Sequence, residues 1–589
     1  MDLHYSKPAV DDRDGGESLL RAAYLTRGRD DGKVTLAIPW LEEAEQGCVF
    51  PKDRRFSRSE EQAEYVREWL VKAGLEEESR KLGICFYPGR YHVPYGSIFA
   101  MGDLVALVPD EEADVCILEE PEHLNFFRAE GVPWLKKFEY VVGIIHTNYM
   151  FYARGDKGGV VKKPIVRAAC AFTVRAHCHR VIKLSDALQD YAKEKEIVEN
   201  VHGVRPQFLE IGEEMARRPA FTADAYFIGK VMRARRSDLM SAVVWLLGEA
   251  SDCLFSSRMR HLASVGRSRE SGARALFLVD EPCLSRCVVS LRVVSRRAQV
   301  LWKKGIDILL ALMETSRESG RMGFPINVYG SGADLEQVMQ KAEEMELPVR
   351  FNDGIDHAEL GHYKVFVNPS QSEVLCTTIA EALAMGKWVV CARHPSNEFF
   401  MDNFESCLPF SDEEEFDACM RRALAEEPPR LSPETRRLTW AAATERFLAA
   451  ASRPELPGKN VKSARGLARL DTLLAKLHQG AMVGRGGDMI RKALGGGPVA
   501  QQSKYARMQK EEAEASAAAA DGDTTASAAF TGDGRAGEPE QDSLGPLEPE
   551  VEEGEKQGTE DGNVANSTPT VEGSARESEG HEAGEMPSA

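Results

Sequence analysis

Two glutamates, Glu373 and Glu381, stand with seven residues between them in the stretch SEVLCTTIAEALAMG. The stretch follows the apolar run KVFVNPS, so it reads as a helix opening directly behind a strand. A helix that starts at the C-terminal end of a strand presents unpaired N–H groups and partial positive charge, which makes Leu375, Cys376 and Thr377 candidates to supply amides to a phosphate. Lys230, at the end of YFIGK, and Lys304, in KKG at the head of another helical stretch, add side-chain charge to the same kind of site, and Gly330-Ser331-Gly332 behind INVY adds a further strand-end loop. Those groups together can hold a diphosphate. Glu373 falls just ahead of the helix and would point into a cleft. Glu381 falls about one turn inside it, where a carboxylate can accept both hydroxyls of a ribose, as acids do in dinucleotide folds. Solvated helix glutamates would show the same charges, but their position behind a strand, flanked by Asn368-Pro369-Ser370, favours a site.

Strand ends of this kind require parallel sheets to carry them. From Val34 to Ala451 short apolar runs alternate with amphipathic stretches, the pattern of an α/β protein. The runs expected as strands are VTLAI (34–38), LGICFY (82–87), DVCILE (114–119), YVVGII (140–145), YFIG (226–229), INVYG (326–330), VRFN (349–352), KVFVNP (364–369) and WVVCA (388–392). A join around 205–225 divides them into two Rossmann-like domains facing a cleft: 18–215, and 216–230 continued by 300–430. Residues 431–451 are expected as a C-terminal helix, and 452–589 as linker and tail.

Composition bounds the rest. The formal net charge is −19, but residues 501–589 hold 21 acidic against 6 basic side chains, or −15, which leaves −4 for the first 500. The acidity is therefore a tail property, and no basic surface suited to nucleic acid is hidden in the average. Low aromatic content and the absence of a helical or strand period mark that tail as disordered. The 12 cysteines show no CxxC pair, and no leader-like or membrane-spanning apolar run is present, a pattern of reduced thiols. One segment breaks the alternation: 231–299 carries 12 Arg and no Lys. It reads as a translated intron, because joining Lys230 to Val300 restores a strand, a short loop and a helix. A basic inserted lobe that meets anionic lipid is the other reading.

The Glu, seven residues, Glu arrangement, with GK and KKG upstream, resembles the retaining glycosyltransferases of the GT-B fold. Longer runs resemble one family among them, the plant and algal digalactosyldiacylglycerol synthases. These runs are YPGRY, GSIFAMGDL, DEEADVCILEEPEHLNFFRAEG, YVVGIIHTNY, VRAHCHRVIKLSDALQ, NVHGVRPQFLEIG, YKVFVNPSQSEVLCTTIAEALAMGK, CARHPSNEFF and LTWAAATERF. The resemblance implies transfer of galactose from UDP-galactose to monogalactosyldiacylglycerol with retention, by a peripheral enzyme of the outer membrane of the plastid envelope. It further implies that Glu373 holds the transferred sugar, Glu381 the uridine ribose, and Lys230 and Lys304 the diphosphate, while His146 of GIIHTNY approaches the sugar from the first domain. No metal or other cofactor is implied, and DxD occurs only outside the fold, at Asp12-Arg13-Asp14 and Asp521-Gly522-Asp523.

Residues 1–17 depart from that family's opening strand and glycine-containing loop, so the first strand is expected to be missing. His177 and His179 are expected as core histidines. VFPKDRRFS (49–57) and WLKKF (134–138) mix basic with apolar residues, as a membrane-resting surface would, or as ordinary turns do. Other readings stay open: a GT-B enzyme or nucleotide-sugar epimerase with a soluble substrate, or an inactive protein. For 231–299 the expected outcome is that transcripts across the junction mostly lack these codons, because βα connections usually run about two to six residues. Reads that nearly all retain the segment would instead support a lobe.

Overall fold

The computed structural model describes residues 2–3, 16–28, 33–50, 54–92, 97–125, 131–150, 159–229, 303–321, 324–332, 334–453 and 461–481. Lys230, the 231–299 segment and the tail from 482 onward lie outside the described residues.

Two sheets organise the chain. The first is built from β1 (Asp2–Leu3), β2 (Thr35–Trp40), β3 (Gly83–His92), β4 (Ser97–Ala100), β5 (Val115–Glu119), β6 (Tyr140–Ile145), β7 (Arg180–Lys183) and β8 (Glu196–Val198), in the order β4-β3-β2-β1-β5-β6-β7-β8. All its pairings are parallel except β3 with β4. The second sheet is wholly parallel and contains β9 (Thr222–Ile228), β10 (Ile326–Tyr329), β11 (Val349–Asn352), β12 (Tyr363–Asn368), β13 (Trp388–Ala392) and β14 (Cys407–Phe410), in the order β11-β10-β9-β12-β13-β14. The longer helices are α1 (Gly16–Leu25), α2 (Ser59–Lys72), α3 (Gly159–His177), α4 (Pro206–Arg217), α5 (Ile306–Glu318), α6 (Leu335–Glu344), α7 (Thr377–Ala384), α8 (Glu413–Ala425), α9 (Trp440–Ala451) and α10 (Val461–Ala481).

Apolar patterning explains the layers. β6 and β12 are buried along their whole length, as strands covered by helices on both faces must be. α5 sets Ile306, Leu309, Leu310 and Met313 at helical spacing, and they pack with Phe227, Val328, Val365 and Val367 of the sheet beneath. Each sheet reverses its winding direction once, between β1 and β5 in the first and between β9 and β12 in the second. In such folds ligands bind beyond the strand C-termini at these points.

Three departures from the sequence reading carry physical reasons. Asp2–Leu3 takes the central slot of the first sheet, where a missing strand was expected; two residues are too few to register as an apolar run. Within the expected linker, 461–481 is a helix, α10, which packs on α3 through polar contacts that no apolar stripe announces. The two basic-apolar stretches turn their large apolar side chains inward: Phe50, Phe56, Trp134 and Phe138 are all buried.

α9 returns to the first domain after the chain has completed the second, and its Trp440, Ala443, Phe447 and Ala450 join the first domain's core. Its entry passes Gly203 so closely that a Cβ there would lie 2.5 Å from the Trp440 amide nitrogen. Gly203→Ala is therefore expected to lower unfolding stability by about 1–3 kcal/mol, the usual cost of overpacking, measured by urea denaturation. An unchanged midpoint would show that the crossing helix can yield.

Candidate active site

Asn368, the last residue of β12, shapes the loop that carries the first glutamate. Its side-chain nitrogen donates to Cys376 Sγ (2.8 Å) and its oxygen accepts from the Ser370 amide (2.9 Å). The loop ends at Cys376, the residue capping α7. Among the described residues no acceptor takes the N–H groups of Leu375, Cys376 or Thr377. Those amides remain available to an anion, as the sequence suggested. Leu375 packs against both domains, and Ser185 of the first domain donates a hydrogen bond to the Val374 carbonyl, so this loop also meets the opposite wall.

Lys304 reaches the same place from the start of α5. Its backbone is left-handed (φ 69°), as is that of Gly305 (φ 78°). A Cβ on Gly305 would come within 2.8 Å of Ser370 Cα, so glycine is what lets the two loops touch. Lys304 Nζ lies 2.8 Å from Glu373 Oε1 and 3.0 Å from Oε2. The end of β9 is close as well, because a Cβ on Gly229 would stand 3.3 Å from Lys304 Cβ. Lys230, the next residue, lies outside the described residues. Gly330 is buried and donates to the Asn352 carbonyl (3.3 Å), while Gly332 is exposed in the same loop behind β10.

Glu381 has a partner that sequence reasoning missed. His357 Nδ1 is 2.6 Å from Glu381 Oε2, and His357 Nε2 is 2.6 Å from the Tyr226 hydroxyl. All three side chains are buried. A His at 357 and a Tyr at 226 carry no spacing signal relative to residue 381, since the sheet alone brings them together. His394, behind β13, also faces this region: burial lowers its pKa while the Glu373 charge pulls the other way.

Across the cleft, His146 follows β6 and hydrogen-bonds through Nε2 to Glu119, the terminal residue of β5. Glu119 in turn accepts from Arg21 Nε at 2.8 Å. Burial works against both charges. The Arg21 guanidinium and His146 nevertheless outweigh it and hold the Glu119 carboxyl well below the usual range, and Glu119 pushes the imidazole up to about 9. Glu122 behaves oppositely, since burial and the adjacent Glu120 charge push its carboxyl up to about 8. One ligand atom each of Glu17, His146 and His202 lies within 4.8 Å of the others, close enough for a metal ion, although ligation would require His146 to give up its extra proton. Of the expected core histidines, His177 is buried against His478, and His179 Nδ1 accepts from the Val141 amide with its pKa lowered to about 4, chiefly by burial. Among the described residues His146 bonds Glu119 and no second-domain candidate.

Residues 293–440 match the family profile of glycosyl transferases, group 1. The chain is 38% identical over 444 residues to digalactosyldiacylglycerol synthase 2, chloroplastic, of Lotus japonicus, covering 74% of this chain and 79% of that protein. The chain belongs to the digalactosyldiacylglycerol synthase family. The corresponding synthase 1 of Glycine max is 38% identical over 439 residues, 73% of this chain, and there the chain spans 46% of its relative's length, about half. A solved sucrose-phosphate synthase from Thermosynechococcus elongatus is similar at 14% identity and a TM-score of 0.38, covering 71% of this chain and 100% of that one. The fold is GT-B: two helix-covered sheets, the second wholly parallel and the first parallel but for β4, joined in the middle of the chain and closed by a helix that crosses back.

Because the pKa of His146 lies above its ordinary 6.5, its pairing with Glu119 stabilises the fold fully below about pH 6.5 and is lost as pH rises through about 9. The stability gap between the parent protein and Glu119→Gln, followed by urea denaturation across this range, is expected to narrow as pH rises through 9. A constant gap would mean that His146 is neutral throughout.

Proposed function

We propose that this protein transfers galactose from UDP-galactose to the galactose of monogalactosyldiacylglycerol, with retention at the anomeric carbon, at a plastid envelope membrane and by peripheral attachment. The observation that carries the reading is the Lys304–Glu373 pair beside the open amides of 375–377, at the switch point of the second sheet, in a chain of this family. The relatives' names specify a digalactosyldiacylglycerol synthase and the chloroplast; the donor, the acceptor and the outer membrane of the envelope are our extension of them. No described helix is long and apolar enough to cross a membrane.

In this reading the donor diphosphate lies against the amides of Leu375, Cys376 and Thr377, the loop of Gly330 and Gly332, and the side chains of Lys230 and Lys304. A diphosphate competes with Glu373 for Lys304. The released carboxylate then accepts the galactose hydroxyls, and those bonds strengthen as positive character grows at the anomeric carbon. The bond from that carbon to the diphosphate oxygen breaks, a bond to the acceptor hydroxyl oxygen forms on the same face, and the hydroxyl proton leaves with the released UDP. Lys304 and the amides offset charge as it develops on the leaving group. Glu381, held by His357, accepts the ribose hydroxyls. His146 donates from the first domain to the transferred sugar. Neither a metal nor another cofactor enters any step.

Incubation of labelled UDP-galactose with the protein and galactolipid vesicles tests the reading. Labelled digalactolipid supports it; a soluble product or none overturns it. In the active protein Glu373→Gln is expected to cut kcat by about one to two decades, the equivalent of a charged hydrogen bond worth roughly 1.5–3 kcal/mol. Glu381→Ala is expected to raise KM for UDP-galactose with kcat little changed, because ribose contacts are alike in ground and transition states. A chelator is expected to leave the rate unchanged. Loss of activity with recovery on adding a divalent cation would instead assign the Glu17, His146 and His202 cluster to a metal.

A further inference from the structure

α10 is amphipathic in an inverted sense. Its inward face docks on the first domain through polar groups: Asp471 is buried, with Oδ2 2.9 Å from Lys195 Nζ and Oδ1 3.5 Å from Arg175 Nη1, and His478 Nδ1 sits 3.0 Å from His177 Nε2. Three of its leucines point the other way. Leu470, Leu473 and Leu477 are 42%, 53% and 55% exposed, and spacings of three and four residues put them on one stripe. They are among the most exposed large apolar side chains of the described residues. Water gives no reason to build a helix this way, because three outward leucines cost free energy that the buried ion pairs do not need.

Charge singles out the occupant. The helix sequence holds Lys462, Arg465, Arg469 and Lys476 against one acid, Asp471, and that acid is turned inward. Arg469 and Lys476 are exposed beside the leucines, and no described acid pairs with either. On the opposite, inward face Gln479 donates to the Gly131 carbonyl, a further polar tether to the first domain. A leucine stripe flanked by exposed Arg469 and Lys476, on a helix whose one acid is buried, matches an anionic bilayer surface, with apolar groups at the acyl boundary and cations at the headgroups. A helical protein partner could also take the leucine stripe, but it would have to bring acids opposite Arg469 and Lys476, and a second copy of this helix brings only basic side chains there.

We infer that the outer face of α10, with Arg469 and Lys476 beside its leucines, is the surface by which this protein rests on an anionic lipid bilayer. The inference takes from the proposed function only the expectation of a membrane-borne acceptor, and its test requires no galactosyl transfer, so the two can fail separately. Flotation of the full chain with phosphatidylcholine vesicles containing phosphatidylglycerol is compared with flotation on phosphatidylcholine alone. Binding is expected to the anionic vesicles, to weaken in high salt, and to fall about 100-fold in the L470Q/L473Q/L477Q protein as three leucines leave the lipid. Removing Arg469 or Lys476 by change to Gln is expected to cost about fivefold each. The L470M/L473M/L477M protein, which keeps an apolar stripe, is expected to bind like the parent, and thermal unfolding shows whether the Gln protein is folded. Undiminished flotation of a folded Gln protein overturns the inference, as does absence of parental flotation. A parental dimer that the Gln changes convert to a monomer, with flotation unaffected, overturns it too, because the stripe would then belong to a second copy of the chain.

Discussion

Arg21 has no exposed surface, and four parts of the chain meet on it. It extends from α1, its Nε donates to Glu119 at the end of β5, its Nη1 donates to the Val201 carbonyl in the segment leading to the second domain, and its guanidinium lies over the rings of Trp440 and Phe447 on α9. A charge so deep is tolerable only with a counter-charge, and Glu119 provides it. The same carboxylate then fixes His146. One buried ion pair therefore sets the imidazole of the first domain, the start of the interdomain segment and the seat of the crossing helix. Removing either partner would leave the other as an uncompensated buried charge, a far heavier cost than the loss of a surface pair.

The two glutamates of the second domain show how neighbours separate residues that share a motif. Glu373 is paired with Lys304, a half-exposed side chain whose flexible stem can swing aside when an anion competes for it. Glu381 is paired with His357, which is buried and itself bonded to Tyr226. The turn that carries His357 is held in its own right: the buried Lys387 Nζ donates to the carbonyls of Leu360, Gly361 and Tyr363 at 2.7, 2.8 and 2.6 Å. One acid is thus able to exchange partners and the other is locked. Under the proposed reading that difference suits a group whose bonds change during reaction, and a group that only recognises.

Legibility in the sequence followed distance along the chain. Glu373, the 375–377 amides and Glu381 lie within one short stretch, so strand, turn and helix signals place them together without any tertiary knowledge. Lys304 was recoverable because βα connections are short once 231–299 is set aside. Arg21 and Glu119 are 98 residues apart, and Tyr226 and His357 are 131 apart, so nothing local connects them. Strands were legible where apolar runs are long, as in β6 and β12. β8 is only three residues, β14 is interrupted by Pro409, and β1 is only two residues. α10 was hidden for a different reason. Basic residues and glycine in a stretch with outward leucines resemble a linker when helices are expected to bury their apolar face, and here the buried face is the polar one.

Protonation adds a last constraint on the first domain's wall. Glu119, Glu120 and Glu122 come within four residues, and three negative charges at one strand end would repel an anionic ligand. The fold reduces that charge in two ways. Glu119 is matched by Arg21 and by an imidazole with a pKa raised to about 9, so the trio carries a net positive charge at neutral pH. Glu122, raised to about 8, is mostly protonated under the same conditions. What remains is the Glu120 carboxylate, which accepts hydrogen bonds from Thr147 and Tyr149. A sequence that looks acidic at this strand end therefore folds into a wall with a cationic imidazole. Under the proposed reading, the approach of a negatively charged donor is then opposed by far less charge than the residue types alone would suggest.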